Sequence, residues 1–490
     1  MFFNSIDFAL FFPVVFILYW LVAKKLKIRN LLILVASYVF YGWWDERFLI
    51  LIVISSAVDY FIGLKLGRTN NKVVRKWLLG ASLFVNLGFL FYFKYANFFI
   101  ESFVNSFRLF GSEIEISTLH IILPVGISFY TFQTLSYTID VYRGKIKPTK
   151  DILAFFSFVA FFPQLVAGPI ERASHLLPQF HKTYTFNYNQ IKSGLLLMAF
   201  GLFKKMVIAD RAALYVNEVY SDVDSFGSVT YIYGTILFAF QIYCDFSGYS
   251  DIAIGVSRTM GFDLMKNFNL PYFATSLTDF WRRWHISLST WFRDYVYIPL
   301  GGSRKGKLRT YINLFAVFVI SGLWHGAAWT FVIWGAIHGF VLMVEKGIQE
   351  FKIPVLPRGI ISGHNFAVRW FFQLVIFAIV CLAWIFFRAN SLTDAWTVLS
   401  GIFTKFNWRD LLNQETYLVG FKAYEFRVVV ISILVLIGVE IYHRKYNLVR
   451  TVQNLNIVLR WIFYLIIVFA IILFGMYGEN TTQEFIYFQF

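Results

Sequence analysis

The chain has 490 residues, of which 58% are hydrophobic and only 15% charged, and its mean hydropathy is +0.62. Soluble domains carry about a quarter charged residues, so this composition excludes a single water-soluble core and makes lipid the solvent for much of the chain. The net charge of +16 would suit nucleic acid, but the placement of the cations argues against it. They bunch in short loops between apolar runs: Lys24, Lys25, Lys27 and Arg29; Arg68, Lys72, Arg75 and Lys76; Arg143, Lys145, Lys147 and Lys150; Arg304, Lys305, Lys307 and Arg309; Arg444, Lys445 and Arg450. That is the positive-inside pattern of cytoplasmic loops, and it suits anionic headgroups.

In chain order, the N-terminus is apolar but lacks a basic n-region and a cleavage site, which predicts a retained span at 8–23 rather than a signal peptide. Spans follow at 30–42, 47–66, 77–100 and 118–140. The loop at 101–117 is acidic and falls on the outside by alternation. Residues 151–300 carry interrupted apolar runs at 151–167, 191–211 and 229–260, with Pro163, Gly168-Pro169, Lys204-Lys205 and Asp245 where a simple span would not put them. Broken backbone at membrane depth survives only where protein or water covers it, so this stretch is expected to be re-entrant or horizontal and interior. Spans resume at 310–324, 326–345 and 369–388. A long external loop at 389–425 precedes spans at 428–442 and 457–477. Every strongly basic loop then lands on one side and both termini on the other. The whole reads as one membrane-embedded domain, 1–490, of all-α class. Cys244 and Cys381 lie in apolar runs as small buried hydrophobes and build no disulfide framework or metal site.

An ionisable residue inside a membrane segment is costly and marks a candidate functional site. Of the eight histidines, His120, His175, His181, His364 and His443 lie in or near loops and read as solvated side chains. His325 stands apart, in Ser321-Gly322-Leu323-Trp324-His325-Gly326-Ala327-Ala328-Trp329. It is 16 residues beyond Arg309, about 24 Å along a helix and well inside a hydrocarbon core of about 30 Å. Gly322 and Gly326 permit a break or a close helix approach. The competing reading is a structural histidine hydrogen-bonded within the bundle.

His285 lies in an aromatic-rich stretch, 279–295. Read as one amphipathic helix, Trp281, His285, Leu288 and Phe292 share a face that could carry the imidazole inward; an interfacial anchor is an equal alternative. His338 reads as a packing residue behind the site. There is no GxSxG elbow, P-loop or HExxH. Gly301-Gly302-Ser303-Arg304-Lys305-Gly306-Lys307 looks superficially like a phosphate loop; topogenic charge explains its lysines better, and holding the phosphates of a cytoplasmic donor is the alternative. The chemistry that fits is acyl transfer: a buried neutral imidazole, His325, takes the proton of an attacking hydroxyl, and His285 is the second polar group at the acyl carbonyl.

At these residues the sequence resembles the membrane-bound O-acyltransferase family. The resemblance is carried by SGLWHGAAWTFVIWGAIHG (321–339), LPVGISFYTFQTLSYTIDVYRG (123–144), FFPQLVAGPIER (161–172), QIYCDFSGYSDIAIG (241–255), DFWRRWHISLSTWFRDYVYIPLGGSR (279–304) and the terminal FIYFQF (485–490). It is closest to the alginate and peptidoglycan O-acetylation branch, with teichoic-acid D-alanine transfer more distant. The resemblance implies a bundle of about eleven transmembrane helices with re-entrant elements and a funnel on each face, narrowing to His325, with His285 at the second motif position. It also implies that an acetyl group from cytoplasmic acetyl-CoA crosses a bacterial inner membrane. A separate extracytoplasmic SGNH-like partner would then pass it to a polysaccharide. A transporter or flippase of a polysaccharide or lipid-linked intermediate is the competing class; Asp245 is the one acidic residue suited to ion coupling, and repeat symmetry is not seen.

Overall fold

The structure is a computed structural model that describes residues 1–490 apart from 110–117, 120, 167, 352–365, 447, 479–484 and 487–490. His120, His364, Glu113, Glu115 and the last four residues therefore lie outside the described residues. The described chain is helical, with no strand. Six helices are long and apolar enough to cross a membrane: Glu46–Arg68, Lys72–Arg108, Trp329–Glu350, Phe366–Arg388, Ala423–His443 and Ile457–Phe474. Ile6–Val22 is apolar but shorter. The protein is a multi-pass membrane protein of all-α class.

The chain forms two compact units, residues 1–198 with 252–265, and residues 199–251 with 266–490. In the first, three helices begin where a side chain satisfies an open N–H group: Ser5 accepts from Phe8 N at 3.2 Å, Asn71 from Val73 N at 2.9 Å and Asp151 from Ala154 N at 3.0 Å. The span expected at 118–140 starts late. Gly126 takes a left-handed φ of 73°, and the helix runs Ile127–Tyr142. A side chain at Gly126 would also press on the Leu165 carbonyl oxygen at 2.9 Å, so the turn is bound to glycine twice over. The acidic segment expected to be loop is helical as far as Leu109.

One basic residue of this unit, Arg29, departs from the sequence reading, and a half-exposed one, His175, gains carboxylate partners. Arg29, grouped above with the loop cations, is fully buried; its guanidinium donates to Phe180 O at 2.9 Å and to Lys182 O. It closes the end of the turn Leu177–His181 rather than facing headgroups. His175, expected to be solvated, lies 2.8 Å from the buried carboxylate of Glu171 and 3.5 Å from Asp263. The hydrogen bond to Glu171 raises the His175 pKa above its ordinary 6.5, against the opposing effect of partial burial. A group raised on folding stabilises below its unfolded pKa and loses that contribution as pH rises through the folded value. His175→Gln is therefore expected to flatten the fall in melting temperature between about pH 6 and 8. Identical pH profiles for the two proteins would refute the coupling.

The helix Tyr188–Leu202, which passes from the first unit into the second, continues through a π-helical turn, Phe203–Ala209, into Asp210–Ser221. The apolar run at 229–260 was expected to be interrupted. It is one unbroken 32-residue helix, Ser228–Thr259. The reason is charge pairing. Lys205 Nζ sits 2.8 Å from Asp245 and 2.7 Å from Asp210, and all three are buried. A carboxylate countered in this way needs no break in its helix. Lys204 is likewise held, 2.6 Å from Asp251 and 2.8 Å from Ser247. The loop expected at 389–425 folds into Leu392–Thr404 and shorter turns, with Ala395 and Val398 fully buried.

Lys307–His325 and Trp329–Glu350 form an antiparallel hairpin closed on glycines. A Cβ at Gly322 would lie 2.2 Å from the Phe331 carbonyl oxygen, and one at Gly335 would lie 2.3 Å from that of Phe318. The close approach expected at Gly322 is present, and Gly335 supplies the facing half. Gly335→Val presses on backbone, which cannot swing away. A loss of about 3 kcal/mol, the upper end for overpacking, is expected by thermal melting in detergent; an unchanged midpoint would show that the hairpin can part.

Candidate functional site

His325 is the last residue of its helix. The chain leaves at Gly326 in an extended conformation, φ −155° and ψ 148°. A Cβ at Gly326 would lie 2.1 Å from the Phe331 ring, so glycine is required for the exit as well as for the approach. The helix end sets the imidazole among aromatic rings: Trp324 at 4.9 Å, Trp334 at 5.0 Å and Phe387 at 5.4 Å between centroids. His325 is 3% exposed. The run from Lys307 to His325 is unbroken, so the estimate of about 24 Å from Arg309 holds as a length along a straight helix.

His285 is brought to it. The two imidazole centroids are 6.3 Å apart. That spacing is too long for a direct hydrogen bond between the rings and fits an oxygen accepting or donating to each, at about 2.8 Å per bond. His285 is fully buried, which removes the interfacial reading. It is also not on the face of a continuous helix. Leu277–Trp281 ends, and Ile286–Phe292 begins with His285 as its N-cap at φ 42° and ψ 55°. A β-carbon makes this left-handed region unfavourable, and residues held there cluster at functional sites. The kink, rather than helical periodicity, turns the imidazole inward. Its ring packs edge-on to Phe246, 4.5 Å away, on the long helix Ser228–Thr259.

His338 lies behind Trp334. The indole of Trp334 touches both His325, at 5.0 Å, and His338, at 4.9 Å. His338 is fully buried, also touches Trp281 at 5.1 Å, and has no hydrogen-bond partner on either ring nitrogen among the described residues. It backs the wall of the site, as a packing residue does.

Three features escaped the sequence reading. The first is the ion cluster of Lys205, Asp210 and Asp245. Its signal was present, since Lys205 and Asp245 were each conspicuous in an apolar run, but nothing in the sequence paired them. The second is the packing of the C-terminal segment, whose FIYFQF motif is legible in the sequence but whose contacts are not. Ile486 N–H donates to Asp245 at 2.7 Å, and the Phe485 ring lies 4.8 Å from Tyr249 and 5.7 Å from Phe246. The third is Asn267, which carried no sequence signal. The basic segment 301–309 has Gly301, Gly302 and Gly306 at positive φ. It follows a π-helical turn, Arg293–Tyr297, rather than a strand, so it is not a P-loop.

The sequence pattern of the MBOAT, membrane-bound O-acyltransferase family matches residues 149–352, a range that includes His285, His325 and His338. A Pseudomonas aeruginosa protein named "probable alginate O-acetylase" is 41% identical over 83% of this chain and 75% of its own length. A Helicobacter pylori peptidoglycan O-acetyltransferase is 38% identical over 80% of this chain and 77% of its own. A Bacillus subtilis teichoic acid D-alanyltransferase is 29% identical over 46% of this chain and 61% of its own.

Proposed function

Because the chain belongs to the membrane-bound O-acyltransferase family, we propose that this membrane O-acyltransferase moves an acetyl group from cytoplasmic acetyl-CoA to a hydroxyl presented from the opposite face. The observation that carries the proposal is the meeting of two buried imidazoles, His325 and His285, 6.3 Å apart inside an aromatic wall. The acceptor hydroxyl sits between them. His325 takes its proton, the oxygen attacks the thioester carbonyl, and His285 donates a hydrogen bond to the oxyanion. The thiolate leaves and receives the proton from His325, so an ester and a free thiol replace a thioester and a hydroxyl. The aromatic wall keeps water from competing for the acyl group.

The chain forms a single membrane-embedded bundle of about eleven transmembrane helices in a bacterial inner membrane. The basic loops are cytoplasmic and both termini extracytoplasmic. Funnels from each face meet at His325, and no tightly bound cofactor or metal takes part. A separate SGNH-like extracytoplasmic partner hands the acetyl group to a polysaccharide, such as an alginate-like exopolysaccharide or peptidoglycan. The support for that class of acceptor is the likeness to proteins named for alginate and peptidoglycan O-acetylation over most of the chain. D-alanyl transfer rests on a likeness below 30% identity to about half of it.

The test uses membranes from cells expressing the full chain with its neighbouring genes. Acetyl-CoA labelled in the acetyl group is supplied on the cytoplasmic side, and thiol release and label in polymer are followed together. The two are expected to rise in step. Polymer export without thiol release would establish the transporter reading instead.

A further inference from the structure

The left-handed turn at His285 needs something to hold it, and the structure shows what does. A segment beginning at Asn267 runs beside the turn and grips it on both sides. Ile286 N–H donates to Asn267 O at 2.9 Å, and Asn269 N–H donates to Arg283 O at 2.9 Å. These two backbone bonds straddle His285. The Asn267 side chain adds two more: its Oδ1 accepts from the Ser287 hydroxyl at 2.6 Å, and its Nδ2 donates to Ser250 Oγ at 3.1 Å. Ser250 lies on the long helix Ser228–Thr259, one turn beyond Phe246, whose ring packs against the His285 imidazole. Asn267, Ser250 and Ser287 are all buried, at 1%, 2% and 0% exposure. Leu270, at φ 51°, and His285, at φ 42°, are the two non-glycine residues with positive φ among the described residues. Leu270 directly follows Asn269 at one end of this clamp, and His285 lies within it. Strain of this kind persists only where surrounding bonds over-determine it.

We propose that Asn267 is a positioning residue for acyl transfer, locking the strained His285 turn to the helix that carries Phe246 so that the imidazole faces His325. The inference rests on the role given to His285 above. Asparagine suits the task because it is short and offers an acceptor and a donor on one rigid amide, joining two hydroxyls that belong to different elements. Alanine keeps the backbone bonds and leaves the Ser287 and Ser250 hydroxyls unjoined. The turn can then relax, and a displacement of the order of 1 Å at a reacting group costs up to about 10²-fold in rate.

The experiment compares the full-length protein with Asn267→Ala, His285→Ala and the double variant, following thiol release from acetyl-CoA in membranes. Ser250→Ala serves as a second, milder variant that cuts only the outer anchor and keeps the test open if Asn267→Ala does not accumulate. Asn267→Ala is expected to lower kcat by about 10- to 100-fold, with the KM for acetyl-CoA unchanged, and Ser250→Ala to lower it less. The double variant should be no slower than His285→Ala alone, because the clamp acts only through that imidazole. Additive losses would overturn the clamp while leaving His285 its role, as would an unchanged kcat in both clamp variants. Full activity of His285→Ala would instead remove the reading on which the clamp rests.

Discussion

Replacing His325 with alanine is expected to lower acetyl transfer by about 10²- to 10⁴-fold, the range that a positioned general base contributes. The variant should fold. His325 ends its helix, and the loss leaves the glycine contacts of the hairpin, at Gly322 and Gly335, untouched. His325→Gln is the sharper probe. It nearly preserves volume and polarity but cannot take up a proton near neutrality, so it should be almost as slow as alanine. The measurement is kcat for thiol release from acetyl-CoA, on protein shown to be monodisperse in detergent. His285→Ala is expected to lose less, since one donor to an oxyanion is worth about 10²- to 10³-fold. Activity of His325→Ala within a few-fold of the parent would reject the assignment and make the histidine a structural one.

The largest stability effect is expected at Lys205. Its ammonium stands between Asp210 and Asp245 at 2.7 and 2.8 Å, all three groups being buried. Removing one member of a buried ion cluster strands the others in a medium that cannot solvate them, at a cost of about 3–5 kcal/mol. Lys205→Met should therefore lower the midpoint of chemical unfolding strongly. Combining Lys205→Met with Asp245→Asn and Asp210→Asn should recover much of the loss, because no uncompensated charge remains. Asp245 also accepts the Ile486 amide, so Lys205→Met is expected to expose the C-terminal segment to carboxypeptidase at protein concentrations where the parent resists. A single variant as stable as the parent would show that the cluster is neutralised by other means.

The candidate site was legible in part. His325 stood out because an imidazole about 24 Å along an apolar run is costly unless it has work to do, and its flanking glycines announced a close packing that Gly322 shows at 2.2 Å. His285 was legible as a residue type but not as a conformation. Helical periodicity put it on the face of one amphipathic helix, whereas the chain breaks there into a left-handed turn. Periodicity cannot foresee this, because the bonds that hold the turn come from Asn267, 18 residues earlier. Asp245 and Lys205 were each visible as misplaced charges. Their pairing was not, since they lie 40 residues apart on different helices. Arg29 was misread for the same reason: a cation near a loop looks solvated until its partners are known.

By itself, then, the sequence determined the solvent, the class and the family. Apolar runs of sufficient length require lipid, basic loops imply sidedness, and the ordered motifs around His325 identify a membrane O-acyltransferase. These are properties of local composition, and local composition can be read residue by residue. Only the tertiary structure decided how the imidazoles meet. The 6.3 Å between His285 and His325, the strained turn, the Trp334 wall shared with His338 and the ion cluster that lets the helix Ser228–Thr259 run unbroken all depend on groups far apart in the chain. Their energies exist only when both partners are buried together, so no window of sequence contains them.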